Sequence, residues 1–192
     1  MTTRRVATIG AVTLLLALVG WVSARVLARL GERAQTEGPS SVAASAPPVV
    51  PRITATLFYG TADDHTLVPV PREIALAEGL VLQGRQILTA QLERAPSPYV
   101  SVIPAGTTLR AFYITGRGEA FVDLSADVSS RHPGGSSAEL LTVYAVVNAV
   151  TSNLPTITRV QILIDGQEAD TLAGHIDLRY PLARDTSIVS KP

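Results

Sequence analysis

The chain has 192 residues, 46% of them hydrophobic, with Lys+Arg and Asp+Glu both at 16. A balanced charge with no basic run longer than a pair offers no counterion-releasing face. Three Phe and one Trp offer no base-stacking platform, so nucleic acid is excluded as a partner. The absence of cysteine removes disulfides, thiolate chemistry, Cys-based zinc sites and lipid attachment through a Cys acceptor.

Residues 1–5 form a short stub carrying Arg4 and Arg5. From Val6 to Val22 about 17 positions pass without a charge, and a helix of about 20 residues crosses a hydrocarbon core of about 30 Å, so residues 6–24 read as a transmembrane anchor. A signal sequence is the competing reading, with Val22-Ser23-Ala24 as its small-residue cleavage site. The length of the run, and Arg25 directly after that site, favour retention. Flanking charge leaves orientation open, because arginines lie on both sides. Residues 25–52 form a linker, rich in Pro, Ala and Ser from Ala34 onward, which cannot bury a core. From residue 34 its roughly 19 residues reach at most about 60 Å at about 3.3 Å each.

Residues 53–183 carry the alternations of one folded domain, followed by a tail over 184–192. Ile53 to Tyr59 alternates and is rich in β-formers, predicting a strand. Leu67-Val68-Pro69-Val70-Pro71 is extended, and its prolines suit an edge. From about Glu78 to Arg94 the period is helical, with Leu80, Gly84, Ile87, Leu88 and Leu92 on one face and Pro96 and Pro98 as the stop. Thr107–Ile114 and Glu119–Leu124 predict a hairpin about Gly116-Arg117-Gly118, and Ser125 to Gly135 a loop. Ser136 and Glu139 then fit an S-x-x-E capping box, worth on the order of 1 kcal/mol at the serine. Leu140, Val143, Tyr144, Val147 and Val150 continue that helix to about Ser152. Arg159–Ile164 predicts a strand, Asp165-Gly166 a type I′ turn, and Gln167–Leu172 the returning strand. The order β-β-α-β-β-α-β-β predicts an α+β fold: a small two-layer sandwich of a largely antiparallel sheet with two helices.

Convergent reaction chemistry is not legible along this chain. Asp63-Asp64-His65 lies in a turn and reads as solvated. His132 sits in a loop, and His175 with Asp177 lacks the H-E-x-x-H spacing of a helix-borne zinc site. Gly134-Gly135-Ser136-Ser137 lacks the G-x-S-x-G elbow of a nucleophilic serine. Gly116-Arg117-Gly118 joins two strands, which is the wrong context for phosphate binding. Asp123 and Asp165 end strands beside turns. The expectation is no enzyme, no catalytic residue, no cofactor and no metal.

Four ordered motifs do carry a resemblance. They are Leu67-Val68-Pro69-Val70-Pro71-Arg72; Pro104-Ala105-Gly106-Thr107 with Phe121-Val122-Asp123-Leu124-Ser125; Gly134-Gly135-Ser136-Ser137-Ala138-Glu139; and Val160 to Glu168 followed by Leu172-Ala173-Gly174-His175-Ile176-Asp177-Leu178. In this order residues 53–183 resemble the GerMN domain of the GerM spore-germination and sporulation family, present in single copy. The resemblance implies a ring-building-motif-like α/β wedge used in protein–protein assembly, without established catalysis. It implies a stub in the cytoplasm, a single-pass anchor in the cell membrane and the domain outside. Two departures, one domain where the namesakes carry tandem copies and an apolar segment where they commonly carry a lipidated Cys, weaken the transfer of a sporulation role. The expected function is a membrane-anchored envelope scaffold binding an envelope protein or a second copy. The alternative is a module binding peptidoglycan or another glycan. Asp123, Leu124, Gly134, Gly135, Ser136, Glu139, Asp165 and Gly166 are expected to be structural. Gly174, His175, Ile176, Asp177 and Leu178 form the candidate interaction segment, pinned by its apolar members with His175 and Asp177 facing outward.

Overall fold

The computed structural model describes Arg25, residues 50–62 and residues 65–191, and the chain divides into two units between Val49 and Val50. The expected stub, the anchor at 6–24 and most of the 25–52 linker lie outside the described residues, as do Asp63 and Asp64. Among the described residues no helix is long and apolar enough to cross a membrane.

The second unit begins with β1 (Arg52–Tyr59), antiparallel to β2 (Val68–Ala75) with Thr56 opposite Pro71 and Phe58 opposite Pro69. This register explains the prolines. The N–H and C=O of Thr56 are bound by the Asn153 side chain, and those of Phe58 by the Gln91 side chain, so neither residue turns its peptide groups toward β2. Pro69 and Pro71 therefore sit at non-hydrogen-bonded pairs, where a missing N–H removes no ladder bond. The same two amides do for β1 at Thr56 and Phe58 what a third strand would do, by pairing the peptide groups of its second edge there.

Helix α1 (Leu80–Leu92) follows Gly79 and buries Gln83, Gly84, Ile87, Leu88, Ala90 and Gln91. Leu80, expected on the buried face, is exposed instead. A Cβ at Gly84 would lie 2.2 Å from Phe112 Cε1, so the glycine admits a buried ring from β3 (Leu109–Ile114) against the helix. Strand β3 starts two residues later than the predicted Thr107 and pairs antiparallel with β4 (Glu119–Leu124). A short helix α2 (Asp127–Ser130) interrupts the expected loop. Helix α3 (Ser136–Asn153) then carries the chain to β5 (Arg159–Ile164), which lies parallel to β4. A crossover of this kind is what parallel strands require.

Helix α3 buries Leu141 to Val143 and Ala145 to Thr151, which is most of its circumference, so the single apolar stripe expected about Leu140 and Tyr144 is too narrow. A helix apolar all round belongs inside, and α3 packs against β1, α1 and β5. The fold class is the mixed α+β arrangement expected, with the strands divided between the β1–β2 pair and a five-stranded sheet.

On the other edge of β5 lie two short strands. β6 (Gln167–Glu168) pairs with Ile164 and Leu163, and β7 (Leu182–Ala183) pairs with Val160 and Arg159, both antiparallel. They are two ends of one interrupted partner strand, and residues 169–181 leave the sheet between them. The expected return strand to Leu172 is thus cut at Glu168. A carboxylate on α3 binds the backbone of the departing segment.

Candidate functional site

Glu139 is wholly buried. Its Oε1 accepts from the backbone N–H of Leu172 and Ala173, both at 2.9 Å, and of Ile176 at 3.2 Å. Its Oε2 accepts from the N–H of His175 at 2.9 Å and from the His175 ring at Nδ1, 3.1 Å away. Because an ionised carboxylate only accepts, that ring nitrogen carries the proton. Burial pushes the Glu139 pKa up, but the amides of Ala173 and Ile176 and the ring and amide of His175 outweigh it, leaving the pKa lowered. These bonds replace the predicted capping box. Gly135, at φ 89°, is the N-cap and no side chain caps the helix. Ser136 is therefore already helical, one residue too far along to reach the N3 amide. The glutamate meets four amides of a distant loop in place of one nearby.

The loop so gathered is closed at its base by Leu178 N–H donating to Asp170 O at 2.8 Å. Leu172 and Leu178 enter the core, Ser129 Oγ donates to Leu172 O, and Gln161 Nε2 donates to Leu178 O. The outward side carries His175 and Asp177, each about half exposed, then Arg179 and Tyr180. Asp177 and Arg179 form a bidentate pair at 2.9 and 2.8 Å. The side-chain and backbone hydrogen bonds of Arg179 lower the Asp177 carboxyl to about 2. The result is a rigid base under a polar and aromatic surface.

A second carboxylate holds the preceding turn. Asp123 Oδ1 accepts from Gly166 N–H at 2.8 Å, and Oδ2 accepts from Arg110 Nε at 3.2 Å. Arg110 also reaches Asp165 Oδ1 at 2.8 Å. Asp165 at φ 56° and Gly166 at φ 81° are the left-handed pair of a type I′ turn. Asp123 thus fixes the hairpin from which the loop departs.

The family model Germane, described as "Sporulation and spore germination", matches residues 56–170, more than half of the chain. The chain belongs to the Germane family. The matched span contains Asp123, Glu139, Asp165 and Gly166 and ends just before the amides that bind Glu139. Three solved structures are similar. The tandem GerMN domains of the sporulation protein GerM from Bacillus subtilis align with TM-score 0.55 and 20% identity over 70% of this chain and 46% of that one. The first GerMN domain of the same protein aligns with TM-score 0.50 and 21% identity over 69% and 96%. A candidate lipoprotein from Clostridium perfringens aligns with TM-score 0.49 and 23% identity over 72% and 91%. At these identities the tandem and first-domain structures support the fold. No curated protein matches the chain in sequence.

The remaining candidates of the Germane domain fall apart spatially. His65 Nδ1 lies 3.5 Å from Ser137 Oγ, a contact between two exposed side chains. His132 Nδ1 accepts from Gly134 N–H at 3.0 Å, so Nε2 carries the proton and meets Thr142 Oγ1 at 3.1 Å. Thr142 in turn donates toward Val102 O and Ala138 O, which ties the helix start to the 102–106 segment. Leu124 is core, and Gly134 and Gly135 supply positive φ before α3. Among the described residues no group of three His, Cys, Asp or Glu is arranged to hold a metal. No buried side-chain nitrogen or oxygen among them lacks a partner. Gln91, Asn153 and Arg110 are polar residues of consequence that sequence reasoning missed. Gln91 had one signal, an amide between apolar Ala90 and Leu92 in a helix; Asn153, after Thr151 and Ser152, had none.

Proposed function

We propose that the Germane domain is a non-catalytic recognition module of the cell envelope, held to the membrane by residues 6–24 and binding a protein partner through the loop over 172–180. The carrying observation is how the polar groups of the matched motifs are used. Glu139 is saturated by four amides and an imidazole, and Asp123 by an amide and a guanidinium, so neither is placed to take a proton from a substrate. What they hold steady is a loop that offers His175, Asp177, Arg179 and Tyr180 outward. Tyr and Arg on a preorganised base are the residue types that dominate interface energies. The membrane attachment rests on the apolar, uncharged run of residues 6–22, and the extracytoplasmic side on the family's association with spore formation and germination.

The test is a pull-down from detergent-solubilised membranes with the full chain and with the double variant H175A/Y180A, which leaves the Glu139 backbone bonds in place. A partner retained by the native chain and reduced about tenfold or more by the variant is expected. Equal retention by both overturns the loop as the binding surface. Saturable sedimentation with purified peptidoglycan, abolished by the same variant, replaces the protein partner with a glycan. A C-terminal topology reporter is expected to be active only outside the cell, and activity inside overturns the anchor orientation.

A further inference from the structure

The start of α1 is an exposed apolar tip. Leu76, Leu80, Val81 and Leu82 are between 42% and 54% exposed, and Val50 is 56% exposed. They are one patch because the backbone gathers them. Leu76 N–H donates to Pro51 O at 2.8 Å. Gln83 accepts from Ala77 N–H at 2.8 Å and donates to Ala75 O, folding the end of β2 onto the first turn of α1. Three consecutive large aliphatic side chains exposed in a first helical turn, with Leu76 and Val50 beside them, form a contiguous apolar patch, and such patches mark interaction sites.

The connection to the preceding segment points to the occupant. The second unit starts at Val50, inside the patch, and the 49 residues before it contain the uncharged run Val6–Val22. The tether joins the domain at this tip, so the tip is the part of the domain tied directly to the segment read as an anchor. Exposed Glu78 beside the patch argues against deep insertion and against a preference for anionic lipid. We infer that the tip formed by Leu76 and Leu80–Leu82 docks on the bilayer surface, with these side chains at the boundary between headgroups and acyl chains. This rests on the reading of residues 6–24 as an anchor. Docking would set the domain's orientation relative to the membrane in addition to its distance.

The experiment uses the full chain in phosphatidylcholine bilayers with and without lipid brominated along the acyl chain. The chain has one tryptophan, Trp21, inside the anchor segment, so the native protein reports on the anchor by itself. The variant W21F/L82W reports on the tip, and W21F/Y180W on the loop. Quenching of Trp21 and an approximately twofold loss of emission from W21F/L82W, with W21F/Y180W unaffected, are expected. An unquenched Trp21 overturns the anchor and the docking together. A quenched Trp21 with an unquenched W21F/L82W overturns the docking alone. Concentration-dependent shielding of that indole from acrylamide, without quenching by the lipid, assigns the tip to a second copy and likewise overturns it.

Discussion

Replacing Glu139 by Gln tests whether one buried carboxylate organises the 170–178 loop. The amide oxygen can keep the three N–H groups now on Oε1, those of Leu172, Ala173 and Ile176, without the assistance of charge. The amide nitrogen then faces the His175 ring and the His175 N–H, which sits 2.9 Å from Oε2. The ring can answer by presenting an unprotonated Nδ1, but the backbone N–H cannot, and it becomes an orphan donor facing another donor. One orphaned amide costs about 1–3 kcal/mol, and the weakened bonds bring the total to about 2–4 kcal/mol. With a urea slope of about 1–3 kcal/mol/M, the midpoint should fall by roughly 1–2 M. In hydrogen exchange on the full chain, Leu172, Ala173, His175 and Ile176 should lose protection as a group in E139Q. Unchanged protection there, or a midpoint shift below about 0.3 M, refutes the reasoning.

The pH dependence carries a definite sign. The folded pKa of Glu139 is lowered, so its contribution is complete above the unfolded glutamate value of about 4.3 and is lost as pH falls through the folded one. The stability gap between the native chain and E139Q should therefore be constant near neutrality and narrow below about pH 4. A gap that narrows on raising the pH would contradict the assignment.

The other expectations concern the scaffold. Q91A should cost about 3 kcal/mol in urea unfolding, because it strips partners from both peptide groups of buried Phe58; a loss under about 1 kcal/mol would mean that water or a neighbour takes them over. G84A should destabilise by about 1–3 kcal/mol despite alanine's better helix propensity, since its Cβ meets the buried Phe112 ring. Thermal melts of G84A/F112L should recover part of that loss, and no recovery would place the clash elsewhere. S136A should change stability by less than about 0.5 kcal/mol, as an exposed residue that caps nothing, and a loss near 1 kcal/mol would restore the capping box.

What was legible in the sequence was what is local. The Asp165-Gly166 turn, the strand Arg159–Ile164 and the limits of α3 depend on neighbours within a few residues, and each stands where its pattern puts it. Glu139 misled for the same reason. S-x-x-E is a short-range pattern, whereas the partners of this glutamate lie 33 to 37 residues away. Asn153 is further still from the strand it serves, 97 residues along the chain from Thr56. No periodicity encodes such pairings, because they arise only once α3 is placed against β1 and the 169–181 excursion.

The motifs that carried the resemblance gain a common meaning from these contacts. Those around Asp123 and Glu139 both close on the segment after β5, one on its turn and the other on its loop. Inward groups therefore determine how the loop is held to the domain, while its outward groups, His175 partly aside, bond among themselves, as Asp177 does with the N–H and guanidinium of Arg179. Asp177, Arg179 and Tyr180 can be exchanged without withdrawing a single bond from Glu139. A scaffold that separates the two sets in this way can vary its loop surface and keep its fold.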